Sequence, residues 1–211
     1  MPNYVKNAIT FKTTEGLERF KKAYMPDGEF SFNSIDEMPA SLDIERGSKT
    51  LLAFKIYVTK NHIEGVEYPF TLDLTPEKLE EEYSSLSEKE KKDYLRLGEQ
   101  VVSNLREYGC ADWYEWRIYH WGTKWDAKEV QIDAKTHSIV FQTAWSAPMP
   151  IIEKIAREMK SQFAFSYADE DIGYNCGVFL FGGKYGSQGF GAEMSGTPEG
   201  KELAKRLWDA E

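Results

Sequence analysis

Residues 112–126 concentrate the side chains best suited to binding chemistry. The segment reads DWYEWRIYHWGTKWD and holds four of the six tryptophans in this 211-residue chain. Indole rings beside cationic side chains stack nucleic-acid bases or hold cations, and each stacked base contributes about 1–3 kcal/mol to binding. The candidate ligand-binding residues are therefore Trp113, Trp116, Arg117, Trp121, Gly122, Thr123, Lys124, Trp125 and Asp126.

The same segment also has a structural interpretation, which we favour. Trp113 and Trp116 lie one helical turn apart and suit a helix core, while Gly122 and Thr123 suit a turn. Asp126 suits the cap of that turn. A ligand site on these residues is thus the alternative to simple core packing.

A glycine-rich stretch at residues 181–191 invites comparison with phosphate-binding loops. A Walker A loop requires GxxxxGK[ST], but Val178 stands at the first glycine position and Tyr185 follows Lys184. A dinucleotide fingerprint fails at Met194, and an RNA-recognition motif fails because Gln188 replaces a basic residue. We therefore predict a flexible loop after an edge strand.

Neither a metal site nor a cofactor is predicted. His62, His120 and His137 are scattered, and the sequence has no HxxxH, ExxH or CxxC spacing. The acidic residues 169–171 alternate between the two faces of a strand end, so we interpret them as a solvated turn.

Cys110 and Cys176 are the only cysteines, and their pattern favours two reduced, partly buried thiols over a disulfide. Cys176 or Asp126 would form a nucleophile and base pair with His120 if the fold joined them. The spacing does not require this arrangement.

The chain is acidic, with 35 acidic and 26 basic side chains and a net charge of -9. This balance disfavours broad electrostatic binding to duplex nucleic acid and suits a basic protein partner. No run approaches the roughly 18 apolar residues of a membrane helix, and residues 1–12 do not have the pattern of a signal peptide. We expect a cytoplasmic protein, and the sequence leaves its oligomeric state open.

The elements that position these residues begin with a predicted strand at Tyr4–Phe11 and a helix after Thr13. Alternating aromatics predict a strand at residues 30–35, and propensity favours a strand over a helix at residues 50–59. A helical insertion follows at about residues 75–108. Its signals are Thr75-Pro76, a capping box from Ser87, and Gly109 as the terminating residue.

The second half has the predicted order α-β-β-α-β-β from residue 111, then a closing helix after Thr197-Pro198. This is a ferredoxin-like βαββαβ arrangement that lacks its first strand. Tyr4–Phe11 is the favoured substitute, and residues 51–58 are the alternative. The fold class is α+β: a ferredoxin-like mixed or antiparallel sheet with helices on one face, divided into domains 1–109 and 110–211.

Three motifs resemble the phage- and plasmid-borne family of YubB-like (Api-ninety-two-like) proteins: WYxW at residues 113–116, WGTKWD at 121–126 and TAWSxP at 143–148. The resemblance implies a ferredoxin-like C-terminal domain in a mobile-element protein of unknown function. It implies no metal, since iron–sulfur clusters use about four cysteines. His120 departs from the family pattern, which has Asn there.

These features favour a non-enzymatic mobile-element protein that binds a host protein, for example in counter-defence. The alternatives are single-stranded nucleic-acid binding by the tryptophan-rich segment, with Arg117 and Lys124 at phosphates, and a small hydrolase or transferase using His120.

Overall fold

The computed structural model describes residues 3–69, 74–159 and 161–209. The chain forms two compact units: a sheet unit, Met1–Glu37 with Arg117–Glu211, and a helical unit, Met38–Trp116. These units do not coincide with the expected boundary after residue 109. The N-terminal strand joins the sheet of the second half, and the division falls inside a helix. Residues 1 and 2 of the N-terminal segment lie outside the described residues.

The described strands form one antiparallel sheet in the order β2-β3-β1-β4-β5-β6. The strands are β1 (Tyr4–Phe11), β2 (Lys128–Asp133), β3 (Ser138–Ala144), β4 (Phe163–Asp169), β5 (Cys176–Phe181) and β6 (Phe190–Glu193). The helices are α1 (Thr14–Tyr24), α2 (Ser48–Lys60), α3 (Pro76–Ser85), α4 (Glu88–Tyr108), α5 (Trp113–His120), α6 (Met149–Met159) and α7 (Pro198–Trp208). The α+β class, the antiparallel sheet and the helical segment near residues 75–108 are as predicted.

Strand β1 lies between β3 and β4, where the predicted arrangement lacked a strand. Its Val5, Ile9 and Phe11 side chains share one buried face, and Phe11 packs on Phe20 of α1 with ring centroids 5.6 Å apart. The opposite face, which includes Ala168 and Cys176, is covered by α7.

The predicted strand at residues 30–35 is wrong. The chain instead forms a 3₁₀ helix at Phe32–Ser34, which Ser31 caps by accepting the Asn33 N–H. Phe30 and Phe32 both insert into the core, where each packs on Phe141. Their alternation therefore reflects two buried rings at a turn and not a strand period.

The predicted strand at residues 50–59 is also wrong, because α2 occupies this segment. Its buried positions include Leu51, Ala53 and Phe54, and Phe54 packs in a cluster with Val101 of α4. Helix–helix burial overrides the β-propensity of these residues. Residues 51–58, the alternative candidate for the missing first strand of the ferredoxin-like sheet, lie in this helix and are therefore excluded from that role.

The glycine-rich stretch is more ordered than the predicted flexible loop. It contains a 3₁₀ helix at Gly183–Tyr185 and then β6, which pairs with β5. A Cβ on Gly191 would overlap the Val178 carbonyl oxygen, so glycine permits the close strand pairing.

The predicted helix signals at the insertion are confirmed. Ser87 and Glu90 form both hydrogen bonds of a capping box, and Gly109 ends α4 at φ 70. Cys110 and Cys176 are free, buried thiols. Among the described residues, no helix combines the length and apolar character that crossing a membrane requires.

We predict that Gly98→Ala destabilises the protein although alanine is the better helix former. A Cβ at Gly98 would lie 2.5 Å from the Tyr57 Cβ and overlap the Ala53 carbonyl of α2. Overpacking costs about 1–3 kcal/mol, against about 1 kcal/mol gained in helix propensity. Urea unfolding measures the difference, with exposed Ser103→Ala on the same helix as the control. A Gly98→Ala protein as stable as this control would contradict the close α2–α4 packing.

Candidate functional site

The nine candidate residues belong to two different units. Trp113 and Trp116 lie in the helical unit. The other seven lie in the sheet unit: Arg117, Trp121, Gly122, Thr123, Lys124, Trp125 and Asp126. The aromatic segment thus contributes to both units.

In the helical unit, Trp113 and Trp116 take part in packing. Trp116 is buried, and Trp113 packs edge to face on Tyr114 with ring centroids 5.7 Å apart. Packing of this kind stabilises a core and agrees with the structural interpretation of these two residues.

Ionisable side chains surround the start of α5. The fully buried Asp112 accepts hydrogen bonds from the Tyr114 and Glu115 N–H groups at 3.0 and 3.2 Å. The Arg46 guanidinium lies 3.6 Å from Asp112 and 3.7 Å from Glu115. Burial raises the pKa of Glu115, and the Asp112 carboxylate adds to this, whereas Arg46 and an accepted backbone N–H oppose it. The cluster fixes the beginning of the helix.

In the sheet unit, Trp121 is a core residue with 1% of its surface exposed. Its indole N–H donates to the Asp36 carbonyl at 2.9 Å, and its ring packs edge to face on Phe32 at 5.8 Å. The Arg117 guanidinium lies 4.8 Å from the Trp121 ring centroid. Trp121 therefore stabilises the core around the 3₁₀ helix.

Gly122 and Thr123 connect the turn after α5 to the end of β3. Gly122 has φ +77, and a Cβ there would lie 2.6 Å from Pro150. The Thr123 hydroxyl donates to the Ala144 carbonyl at 2.8 Å, and the Ser146 hydroxyl donates to the Gly122 carbonyl at 2.5 Å. These bonds hold the turn against the two residues that flank Trp145.

Asp126 anchors a neighbouring loop. Its Oδ1 accepts the Phe32 and Ala127 N–H groups at 2.6 and 2.8 Å, and its Oδ2 accepts the Ser31 hydroxyl at 2.5 Å. This set of donors gives its carboxylate a structural role.

Lys124 and Trp125 extend to the surface of the sheet unit, where they meet Lys128 and Trp145. The Lys124 ammonium lies 5.0 Å from the Trp125 centroid and 4.9 Å from the Trp145 centroid, and Lys128 lies 4.3 Å from Trp125. Ammonium groups at these distances make cation–π contacts. We call these four side chains the tryptophan–lysine surface.

Trp145 is held in an unusual conformation. It is 45% exposed and has φ 69, in the left-handed region that costs an L-residue about 1–2 kcal/mol. Its N–H donates to the Asn3 carbonyl and its carbonyl accepts from Asn175, both at 2.9 Å. Both asparagine amides also donate to buried Asp169, at 3.3 and 3.2 Å. The buried carboxylate thus binds the side chains of both asparagines that contact the Trp145 backbone.

The candidate set derived from the sequence omits Lys128 and Trp145. Trp145 was visible only as part of the motif TAWSxP, and no local pattern marks its positive φ. Lys128 opens β2, whose pairing with β3 shifts register between Lys128 and Gln131, and no local pattern marks its approach to Trp125.

The residues of the hydrolase hypothesis have separate environments. His120 Nδ1 lies 3.0 Å from Asp36, which Lys154 also contacts at 3.0 Å. Cys176 is buried beneath α7, and burial raises the pKa of its thiol, which disfavours the nucleophilic thiolate. Asp126 binds the loop described above. Within the described ranges, no group of three or more His, Cys, Asp or Glu side chains is placed to hold a metal ion.

The antiparallel sheet and its helices define a ferredoxin-like domain. Residues 120–209 match a protein-family model described as "Ferredoxin-like domain in Api92-like protein". This match supports the Api-ninety-two-like part of the resemblance for that segment. The search of curated proteins found no match to the chain.

Among solved structures, the chain is similar to a crystal structure of a protein api92 from Yersinia pseudotuberculosis. The identity is 8%, the TM-score is 0.41, and the alignment covers 94% of this chain and 100% of that one.

We predict that Trp121→Ala and Trp145→Asn have very different effects on stability. Trp121→Ala empties a core position and lowers the free energy of unfolding by about 3–5 kcal/mol. Trp145→Asn removes a partly buried side chain but relieves the left-handed strain, because asparagine tolerates this conformation. The free energy of unfolding therefore changes by less than about 1 kcal/mol. Chemical unfolding followed by circular dichroism measures both. Equal losses of unfolding free energy in the two variants would show that Trp145 is a core residue.

We predict a pH-dependent effect of Glu115→Gln. Because the pKa of Glu115 is raised in the folded state, its contribution to stability is complete below its unfolded pKa of about 4 and is lost as pH rises through the folded value. The wild type therefore loses stability relative to Glu115→Gln between acidic and neutral pH. Urea unfolding across that range tests this.

Glu80→Gln is the control of opposite sign, because a hydrogen bond from Lys60 lowers the pKa of Glu80. A stability difference between wild type and Glu115→Gln that does not vary with pH would contradict the assignment.

Proposed function

We propose that this protein is a non-enzymatic interaction module of a phage, plasmid or prophage. It acts in the cytoplasm of a bacterial host on a host protein, such as a defence factor. Its binding site is the tryptophan–lysine surface of the sheet unit. The motifs at residues 113–116, 121–126 and 143–148, which resemble a mobile-element family, support the biological setting.

The observation that carries this proposal is the exposed, strained Trp145. Strained backbone at an exposed aromatic residue is commonly retained where the residue has a function, since packing alone gives no reason for its cost. Tryptophan is also among the residues that contribute most to binding energy at protein interfaces. Its presentation at φ 69 therefore supports a contact residue.

The surface is also held in place before any partner arrives. Asn3 and Asn175 hold the Trp145 backbone, and the Lys124 ammonium lies against its ring. Binding then requires little ordering of the indole, and a smaller entropic cost leaves more of the contact energy as affinity.

A second candidate function is single-stranded nucleic-acid binding, favoured by the two lysines beside Trp125. Indoles stack bases and ammonium groups bind phosphates in such sites. The net charge of -9 opposes it. Retention of oligonucleotides at low salt, lost in Lys124→Ala and Lys128→Ala, would favour this candidate over the first.

Affinity capture from bacterial lysate tests the leading proposal. We expect the wild type to retain a specific host protein that Trp145→Asn loses. Phe190→Ser is the matched control, because Phe190 is a 70% exposed aromatic on β6 of the same unit. It should retain the partner. Failure to recover any partner that depends on Trp145 would refute the assignment of this surface.

A further inference from the structure

We infer that the partner segment bound at Trp145 is basic, and that it places an arginine guanidinium on the Trp145 indole beside the carboxylates of Glu170 and Asp171. This inference rests on the proposed function and specifies the chemistry of the partner. It concerns the region where the end of β3 and the turn after β4 meet the start of β1.

The backbone brings these groups to the same end of the sheet. The Trp145 N–H donates to the Asn3 carbonyl at 2.9 Å, and the Glu170 N–H donates to the adjacent Tyr4 carbonyl at 3.0 Å. Trp145 and Glu170 thus flank the first residues of β1 from opposite sides. Since neighbouring strands lie about 4.8 Å apart, their backbones are separated by about 10 Å. A short extended segment spans this distance.

The exposed charges of the turn after β4 are negative. Glu170 and Asp171 are both exposed, and neither forms a salt bridge with any cation among the described residues. Asp169 is different, because its carboxylate accepts from Asn3, Asn175 and the Asp171 N–H. Two carboxylates therefore remain available to a cationic partner.

Aromatic surface accompanies these carboxylates. Tyr174, in the same turn, is 60% exposed, and Asn175 joins that turn to the Trp145 carbonyl. Arginine stacks on aromatic faces and pairs with carboxylates through one planar group, which a lysine ammonium does not match. The combination of indole, phenol and unpaired carboxylates fits an arginine side chain.

The two lysines of the surface are consistent with this ligand. Lys124 lies over Trp125 and Trp145, and Lys128 lies over Trp125, so both ammonium groups already contact indole rings. Lys128, Trp125, Lys124 and Trp145 thus form a row in which cations and indoles alternate. A guanidinium on Trp145 would add one more cation to the end of this row. An acidic segment would meet the ammonium groups of Lys124 and Lys128 but would also approach the carboxylates of Glu170 and Asp171, which repel it.

The test uses three synthetic nine-residue peptides in a glycine–serine background, containing three arginines, three lysines or three glutamates. Binding to the full chain is followed by the indole N–H signals in proton–nitrogen correlation spectra. We expect the arginine peptide to bind best and the glutamate peptide not to bind. Trp145→Asn should weaken arginine-peptide binding roughly 2- to 30-fold, the range for one cation–π contact.

A double variant, Glu170→Gln with Asp171→Asn, should weaken binding roughly 2- to 5-fold and reduce its salt dependence. Phe190→Ser is again the control and should bind as the wild type does. Equal arginine-peptide binding by the wild type and Trp145→Asn would overturn the inference. So would stronger binding of the glutamate peptide or of a single-stranded oligonucleotide.

The two proposals fail in distinguishable ways. If lysate capture yields a partner that depends on Trp145 but the arginine peptide does not bind, the interaction module stands and the basic partner is excluded. If no partner depends on Trp145, the proposed function itself fails.

Discussion

The pairing of β1 between β3 and β4 is the constraint on which the sheet unit depends. A strand near the start of the chain supplies the centre of a sheet whose other strands lie beyond residue 127. The start of this strand and the residue before it also position Trp145 and Glu170, because the Asn3 and Tyr4 carbonyls accept the Trp145 and Glu170 N–H groups. Its buried Asn7 adds a polar contact, donating to the Thr143 hydroxyl at 2.9 Å, which in turn donates to the Ser146 carbonyl. Strand β1 and the residue before it therefore contribute both to the packing of the core and to the position of Trp145.

Some residues of the aromatic segment 112–126 pack in the core, and others reach the surface. Trp121 fills the core and Asp126 anchors a loop, whereas Lys124 and Trp125 reach the surface. The turn between them, held to the end of β3 by Thr123, separates the buried Trp121 from the half-buried Trp125 by four residues. A dense aromatic sequence is therefore compatible with both interpretations, and only burial and hydrogen bonding decide which applies to each ring.

The sequence correctly predicted those elements that are marked by short-range signals such as helix caps and turn residues. The capping box at Ser87 and the left-handed Gly109 define α4 without any tertiary information, and the β3 and β4 patterns are similarly self-sufficient. The failures at residues 30–35 and 50–59 arose where packing partners lie far away in sequence: Phe141 for the first and α4 for the second. The conformation of Trp145 also could not be predicted from local patterns, because it depends on Asn3, Asn175 and Asp169 at distant positions.

Net charge is a poor guide to the kind of partner proposed for the sheet unit. The helical unit carries 16 acidic and 10 basic residues, whereas the sheet unit is closer to balance with 19 and 16. Most of the overall excess thus lies outside the unit that presents Trp145. Short-range recognition depends on charges that remain unpaired and close to the contact, since salt screens more distant ones over about 8–10 Å. On that criterion the exposed carboxylates of Glu170 and Asp171 matter more than the total charge of -9, and they support the cationic group proposed beside the indole.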